Sequence, residues 1–455
     1  MNNHKTEAMQ RISKLINVIM IAAPFVVAWA LYYDSKILIP FYRRGHWVIV
    51  GLFVFLYAVF GKLYDAFLVS LVRISELIYS QAVAALITDG IMYIVLALLV
   101  RRLPNPFPLF VVFAVQVAMS VIWCVTAHQL YFRTHPPKRT AVIYDMRRGL
   151  EHLVSEYGME KKFEIVKVLS IEEWFENPDS ISDVEVVFVS GVHSAHRNVV
   201  LKHCIFNDIS MYIIPRIGDI IMSGAKKMHM FHLPIMRVGG YEPSIFYLTV
   251  KRFFDIVLSV VGLVVFSPVM LVTAIAIKVG DGGPVMYTQE RLTKDRKVFK
   301  MHKFRSMRVD AEKDGIARLS SGDQDDRVTP VGRFIRKVRI DELPQLFDVL
   351  AGNLTLVGPR PERPEIAAQY EKTIPEFAFR LQAKAGITGY AQVYGKYNTS
   401  PYDKLQMDLM YIANPSIVQD IEIIFATIKI IFLPESTEGV DKDSLTALSE
   451  KQNVK

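Results

Sequence analysis

Apolar residues are not spread evenly along this chain. The first 130 residues carry four nearly unbroken apolar runs, at 15–33, 46–61, 77–100 and 107–128. A helix needs about 20 apolar residues to cross a bilayer, so each run predicts a membrane-spanning helix, the second being the shortest. Basic residues flank the runs unevenly. Lys5, Arg11, Lys14, Lys62, Arg73, Arg133, Lys138 and Arg139 fall on one side of the predicted membrane, and Lys36, Arg43, Arg44, Arg101 and Arg102 on the other. The larger group marks the cytoplasmic side and places both ends of the four-helix bundle inside. Asp89 interrupts the third run. No transport-like set of charges accompanies it, so it is expected to point into the bundle, paired or protonated.

After residue 140 the period changes. Short β-branched runs at 141–144, 163–168 and 184–190 predict strands, and apolar-periodic stretches at 150–157 and 196–206 predict helices between and after them. Alternation of this kind implies a doubly wound parallel sheet. The turn after the first strand reads Tyr144-Asp-Met-Arg-Arg-Gly149. It lacks the Gly-x-Gly-x-x-Gly that lets a backbone approach a pyrophosphate. The unit is therefore Rossmann-like but degenerate, with a structural, regulatory or dimerisation role in place of dinucleotide binding.

Composition narrows the class. The chain has 455 residues, enough for two or three domains, and a net charge of +8. In a chain this apolar, the positive excess is matched to anionic lipid and phosphorylated substrates. No nucleic-acid-binding pattern is present. The two cysteines, Cys124 and Cys204, are far apart and form neither a disulfide framework nor a metal cluster.

The candidate chemistry centres on Arg339-Ile-Asp341-Glu342-Leu-Pro344-Gln345-Leu346, which follows a basic run containing Arg333, Arg336 and Lys337. A bare Asp-Glu pair is ordinarily a helix cap followed by a solvated acid. Here Pro344 predicts a helix start with Asp341 as its N-cap. The helix terminus and the basic neighbours favour an ionised Asp341 beside a surface suited to phosphate. Such a carboxylate can attack a phosphoryl group. Downstream, Gly358-Pro359-Arg360-Pro361 locks Arg360 between two prolines, and a fixed guanidinium suits bidentate phosphate binding. His302 has no partner at metal-ligand spacing and is expected to be structural.

These blocks recur in order with Gln289-Glu290-Arg291, Phe299-Lys-Met-His302-Lys303-Phe304-Arg305-Ser306-Met307, Gly386-Ile-Thr388-Gly389, Asp403-Lys404 to Asp408, and Asp420. Over residues 251–432 the chain resembles the bacterial polyprenyl-phosphate hexose-1-phosphate transferases, which are monotopic phosphoglycosyl transferases. It departs from them at Leu292-Thr-Lys-Asp-Arg-Lys297, where the family has a glycine-rich turn. A different hairpin turn is expected there.

The resemblance implies a transfer of hexose-1-phosphate from a UDP-sugar to polyprenyl (undecaprenyl) phosphate, with release of UMP. It implies Asp341 as nucleophile and Glu342 as its orienter or as the ligand of Mg²⁺. Arg360, Lys303, Arg305, Gln345, Pro359 and Pro361 become substrate-binding residues. Asp408 and Asp420 match family acids, each of which could instead be a cap or an ion-pair partner.

The resemblance also bears on a fifth apolar run, at 251–278, which carries Ser267-Pro268 in its middle. A true crossing would put the phosphate-binding blocks outside the cell, away from nucleotide sugars. A helix–break–helix is expected instead, entering and leaving on the cytoplasmic face of the bacterial inner membrane.

The expected architecture is thus a membrane α-helical bundle at 1–135, a degenerate Rossmann-like α/β domain at 136–245, a mainly α catalytic domain at 246–435 with a re-entrant helix, and a tail at 436–455. Partners are the UDP-sugar, polyprenyl phosphate and membrane lipids, with no nucleic acid, and helices of two copies could pack as a homodimer. The intact acid pair and Arg360 speak against a non-catalytic scaffold or regulator of polysaccharide assembly. Spans so poor in polar residues speak against a transporter.

Overall fold

A computed structural model describes residues 2–41, 44–146, 148–309, 311, 327–395 and 399–431. Arg43 and the tail at 436–455 lie outside the described residues. The chain divides into two compact units, Met1–Ile214 and Pro215–Lys455.

The first unit opens with α1 (Asn2–Ala28), α2 (Gly45–Leu63), α3 (Ile74–Val100) and α4 (Phe107–Thr134), each long and apolar enough to cross a membrane. They carry the four predicted runs. The bundle interior is polar in places, and some of its polar groups are hydrogen-bonded there. Asn17 donates to Gln81 at 3.1 Å and accepts from Tyr57 at 2.9 Å, and Gln116 donates to the carbonyl of Ile21 at 3.1 Å. Asp89 is buried in α3, as its sequence context predicts.

The α/β part follows as β1 (Lys138–Tyr144), α5 (Leu150–Glu156), β2 (Phe163–Ser170), α6 (Ile171–Glu176), β3 (Val186–Ser190), α7 (Ser194–Phe206) and β4 (Ser210–Ile213). All four strands are parallel, in the order β2-β1-β3-β4. Ala141, Ile143, Val187 and Val189 pack under Trp174 and Val200 on one face, and Val186 packs with Val154 and Phe163 on the other.

The second unit begins with α8 (Ile217–Ser223) and a hairpin of β5 (Lys226–Met230) and β6 (Leu233–Arg237). Then comes α9 (Ile245–Asp281), the fifth helix able to span a bilayer by length and composition. Only 11% of its most apolar window is buried by protein. The expected interruption at Ser267-Pro268 is absent, and α9 is one continuous helix with Pro268 inside it.

Next are the hairpin of β7 (Met286–Leu292) and β8 (Val298–Phe304), then α10 (Pro330–Lys337), α11 (Gln345–Leu350) and β9 (Thr355–Val357). They are followed by α12 (Pro364–Thr373), β10 (Gly386–Thr388), α13 (Tyr390–Tyr394), α14 (Pro401–Ala413) and α15 (Ile417–Ile431). The β7–β8 turn closes without glycine because Asp295 and Arg296 both take left-handed backbone angles, φ 56° and 61°. Glycine is the usual occupant of that region.

Both halves of α9 hold to this one unit. Near its start, Lys251 pairs with the buried Asp420 of α15 at 2.8 Å, and Arg252 donates to the carbonyls of Val349 and Leu350. Asp255 accepts from Thr355 at 2.7 Å and from the amide of Leu356 at 2.9 Å. Near its end, Ile277 packs with Phe304 and Ile335, and Asp281 pairs with Arg305.

Candidate active site

Distant parts of the chain meet at one carboxylate. After α10 ends, Arg339 adopts a left-handed conformation, φ 58°, rare for a residue with a side chain. The chain turns sharply there, and Ile340–Glu342 forms a single 3-10 turn. Glu342 then receives Lys303 of β8 at 3.0 Å, Arg339 at 3.6 Å and Arg360 at 3.6 Å. Asp341 does not cap a helix, contrary to its sequence context. The Arg339 turn commits residues 340–342 to the 3-10 geometry, so Pro344 takes the cap position and α11 begins at Gln345.

Asp341 is buried, and its Oδ1 has no hydrogen-bond partner among the described residues. Burial raises its pKa to about 6, the Glu342 charge adds to this, and Lys303, Arg336 and Arg339 oppose it. Asp341 is therefore ionised at neutral pH, though its environment holds it closer to protonation than an N-cap would. Burial also penalises charge on Glu342, but Lys303, Arg360 and Arg339 outweigh it and hold Glu342 well below the ordinary range. Burial draws Lys303 downward, Glu342 opposes this, and the charge of Arg360 adds to it. The two neighbouring acids are thus pushed apart, Glu342 downward and Asp341 upward.

Arg360 sits between buried Pro359 and Pro361 with its own side chain exposed. Upstream, Gly358 lies against Lys384 and Gly386 so closely that an added Cβ would stand 2.3 Å from the Lys384 carbonyl. Gln345 is buried in the first turn of α11. Arg305 is buried against Asp281, anchoring the end of α9, and is not among the cations paired with Glu342. Asp420 pairs with Lys251 and accepts from Tyr247 and Tyr411. Asp408 lies under Arg380 at 2.6 Å. His302 gives its Nδ1 to Asp348 at 2.7 Å, and Asp348 also accepts the His302 amide at 2.9 Å.

The roles of Arg339, Arg291, Arg380 and Asp348 are not visible in the sequence. Arg339 adjoins the basic run at Arg333, Arg336 and Lys337, whose sequence suggests only a general phosphate surface. The others depend on contacts across tens of residues.

Among the described residues no three Asp, Glu, His or Cys side chains converge to hold a metal. Two adjacent carboxylates, one with an unpartnered buried oxygen, do match what Mg²⁺ takes from a protein when substrate phosphates and water supply its other ligands.

The bacterial sugar transferase family model matches residues 246–434. The chain is 39% identical over 192 residues to the exopolysaccharide production protein PSS of Rhizobium leguminosarum bv. phaseoli, covering 94% of that protein and 40% of this chain. The chain belongs to the bacterial sugar transferase family.

Two longer members of the bacterial sugar transferase family match it in part. The UDP-N-acetylgalactosamine-undecaprenyl-phosphate N-acetylgalactosaminephosphotransferase of Aeromonas hydrophila is 40% identical over 234 residues, 51% of this chain and 54% of that one. The UDP-glucose:undecaprenyl-phosphate glucose-1-phosphate transferase of Escherichia coli (strain K12) is 36% identical over 224 residues, 48% of each. The chain thus spans about half the length of these longer relatives. The region matched by the family model contains Asp341, Glu342, Lys303 and Arg360.

Proposed function

We propose that this chain transfers a hexose-1-phosphate from a UDP-sugar to polyprenyl phosphate, the step that initiates an exopolysaccharide, capsule or O-antigen. The observation that carries this reading is the buried carboxylate of Asp341, whose Oδ1 has no hydrogen-bond partner among the described residues, beside Glu342, which three cations hold in place.

Asp341 attacks the phosphorus that bears the sugar. A new P–O bond forms to its carboxylate, the bridging P–O bond breaks, and UMP leaves with the bond's electrons. The polyprenyl phosphate oxygen then attacks the same phosphorus, and the acyl-phosphate bond breaks to restore Asp341. A covalent intermediate lets a soluble donor and a membrane-bound acceptor use one site in turn. Lys303 and Arg360 offset the diphosphate charge, and Glu342 fixes both cations. Glu342, with Asp341 beside it, would hold Mg²⁺, which when bound neutralises further phosphate charge.

Attachment of both halves of α9 to one folded unit supports a re-entrant reading, with donor and catalytic unit on the cytoplasmic face of the inner membrane. The test is incubation of full-length protein in nanodiscs with radiolabelled UDP-sugars, Mg²⁺ and polyprenyl phosphate. UMP release, a lipid-linked product and a phosphosugar adduct on the Asp341 peptide are expected. A properly inserted protein that releases no UMP from any hexose donor would overturn the reading.

A further inference from the structure

Arg360 is exposed, yet the backbone beneath it is held at every carbonyl. The Pro359 carbonyl accepts from the amide of Gly386 at 2.9 Å. The Arg360 carbonyl accepts from Arg380 Nη2 at 2.9 Å. The Pro361 carbonyl accepts from Arg291 Nη1 at 3.0 Å, and the Glu362 carbonyl from the amide of Leu292 at 2.9 Å. Residues 359 and 361, being prolines, have no amide of their own to offer and a fixed φ.

Two of these four donors are guanidiniums, that of Arg380 buried and that of Arg291 mostly enclosed at 16% exposed, and cations so removed from water are retained only with compensation. Arg380 is 5% exposed, lies over the Phe377 ring at 4.8 Å, and pairs with Asp408 of α14 at 2.6 Å and with Glu362 at 3.7 Å. Arg291 pairs with Glu362 at 3.8 Å. A small cavity closes over the cluster, lined by Pro359, Arg360, Glu362, Phe377 and Arg380. Burying the Arg380–Asp408 pair and half-burying Arg291 and Glu362 to hold two backbone carbonyls is costly if the aim is stability alone, since well-packed apolar residues serve stability as well or better. What the arrangement secures is direction: a long, exposed side chain mounted on a backbone without freedom to shift.

We infer that Arg380, charge-balanced by Asp408, and Arg291 are positioning residues that fix the backbone of Arg360 so that its guanidinium meets the donor phosphates beside Glu342. Neither is paired with Asp341 or Glu342; both act through Arg360. The inference rests on the proposed transfer reaction.

The test is a double-mutant cycle in full-length protein in nanodiscs. UMP release with the preferred UDP-sugar gives kcat and KM, and titration with UDP in the presence of Mg²⁺ gives binding. Arg380→Lys keeps a charge opposite Asp408 but loses the fork that reaches the Arg360 carbonyl. It is expected to raise KM and weaken UDP binding about tenfold with kcat little changed. In an Arg360→Ala background the same change should have an effect within about twofold of none, because the guanidinium whose direction it sets is gone. Arg291→Lys, which releases Pro361 from the other side, should behave alike and serves if Arg380→Lys does not fold. Full, multiplicative losses in the Arg360→Ala background, or a fall in kcat alone, would overturn the inference while leaving the transferase reading intact. A wild-type protein that neither binds UDP nor releases UMP would overturn both.

Discussion

The hydroxyl of Ser267 donates a 2.8 Å hydrogen bond to the carbonyl of Val264, the acceptor that Pro268 leaves without its backbone donor. A proline inside a helix leaves such a carbonyl without its ordinary partner, a serious cost in a lipid environment. The preceding serine repairs the loss locally, which is why α9 continues where its sequence predicts a break. Continuity does not require crossing, because both halves of α9 are fastened to the same folded unit.

Cysteines placed at Ile245 and at Val285, in a background lacking Cys124 and Cys204, should therefore react with an impermeant thiol reagent from the same side of sealed vesicles. Labelling from opposite sides would show that α9 spans the bilayer and would undo the cytoplasmic assignment of the donor.

Asp341→Asn should abolish adduct formation while the protein inserts and folds, since an amide cannot displace UMP; residual turnover above about a tenth of wild type would remove Asp341 as nucleophile. In the wild type, UMP release should fall as pH drops through about 6, where Asp341 becomes protonated.

The same residue makes a stability prediction of opposite flavour. The folded pKa of Asp341, about 6, lies above its ordinary 3.8, so the native state holds this proton more tightly than the unfolded chain. Ionisation thus costs the native state, fully above pH 6 and not at all below 3.8. Asp341→Asn should be more stable than wild type by about 3 kcal/mol at pH 7.5, with the gain vanishing as pH falls toward 4. Thermal unfolding in detergent across that range checks the sign.

Gly358→Ala should destabilise by about 1–3 kcal/mol, because the new methyl must displace backbone on the neighbouring strand. That methyl would stand 2.3 Å from the Lys384 carbonyl. Unfolding midpoints and KM should worsen together; an unchanged midpoint would mean that the 358–386 approach is looser than described.

Removal of residues 1–214 should leave a weakened but competent enzyme. The Rhizobium relative is matched over 94% of its length by 40% of this chain, so a protein of that extent exists without the first unit. Turnover per folded molecule in nanodiscs is the fair measure. A well-folded truncated protein that forms no adduct would place the first unit within the chemistry.

The sequence displays what depends on local pattern. The apolar runs give α1 to α4 and α9, because an uninterrupted 20-residue run has few other uses. Strand–helix alternation gives the parallel sheet. Asp341, Glu342 and Arg360 stand out by motif, but the meeting of Lys303, Arg339 and Arg360 at Glu342 is tertiary, joining residues from 303 to 360. The left-handed Arg339 is equally hidden: nothing local distinguishes it from the other basic residues around it, yet it moves the helix start from Asp341 to Gln345. The His302–Asp348 pair escapes for the same reason, since the two are 46 positions apart.

The clamp under Arg360 also bears on how such proteins diversify. On the proposed reaction, a guanidinium fixed by its backbone would read phosphate, and phosphate is what every nucleotide-sugar donor has in common. It has no view of whether the hexose carries a hydroxyl or an acetamido group. The relatives from Aeromonas and Escherichia coli are named for different sugars. If the proposed role of Arg360 holds, donor preference in this fold can drift by exchange of side chains around the sugar while the rigid mount beneath Arg360 stays untouched. Efforts to retarget the enzyme should leave residues 358–362 and their four donors alone and vary what surrounds them.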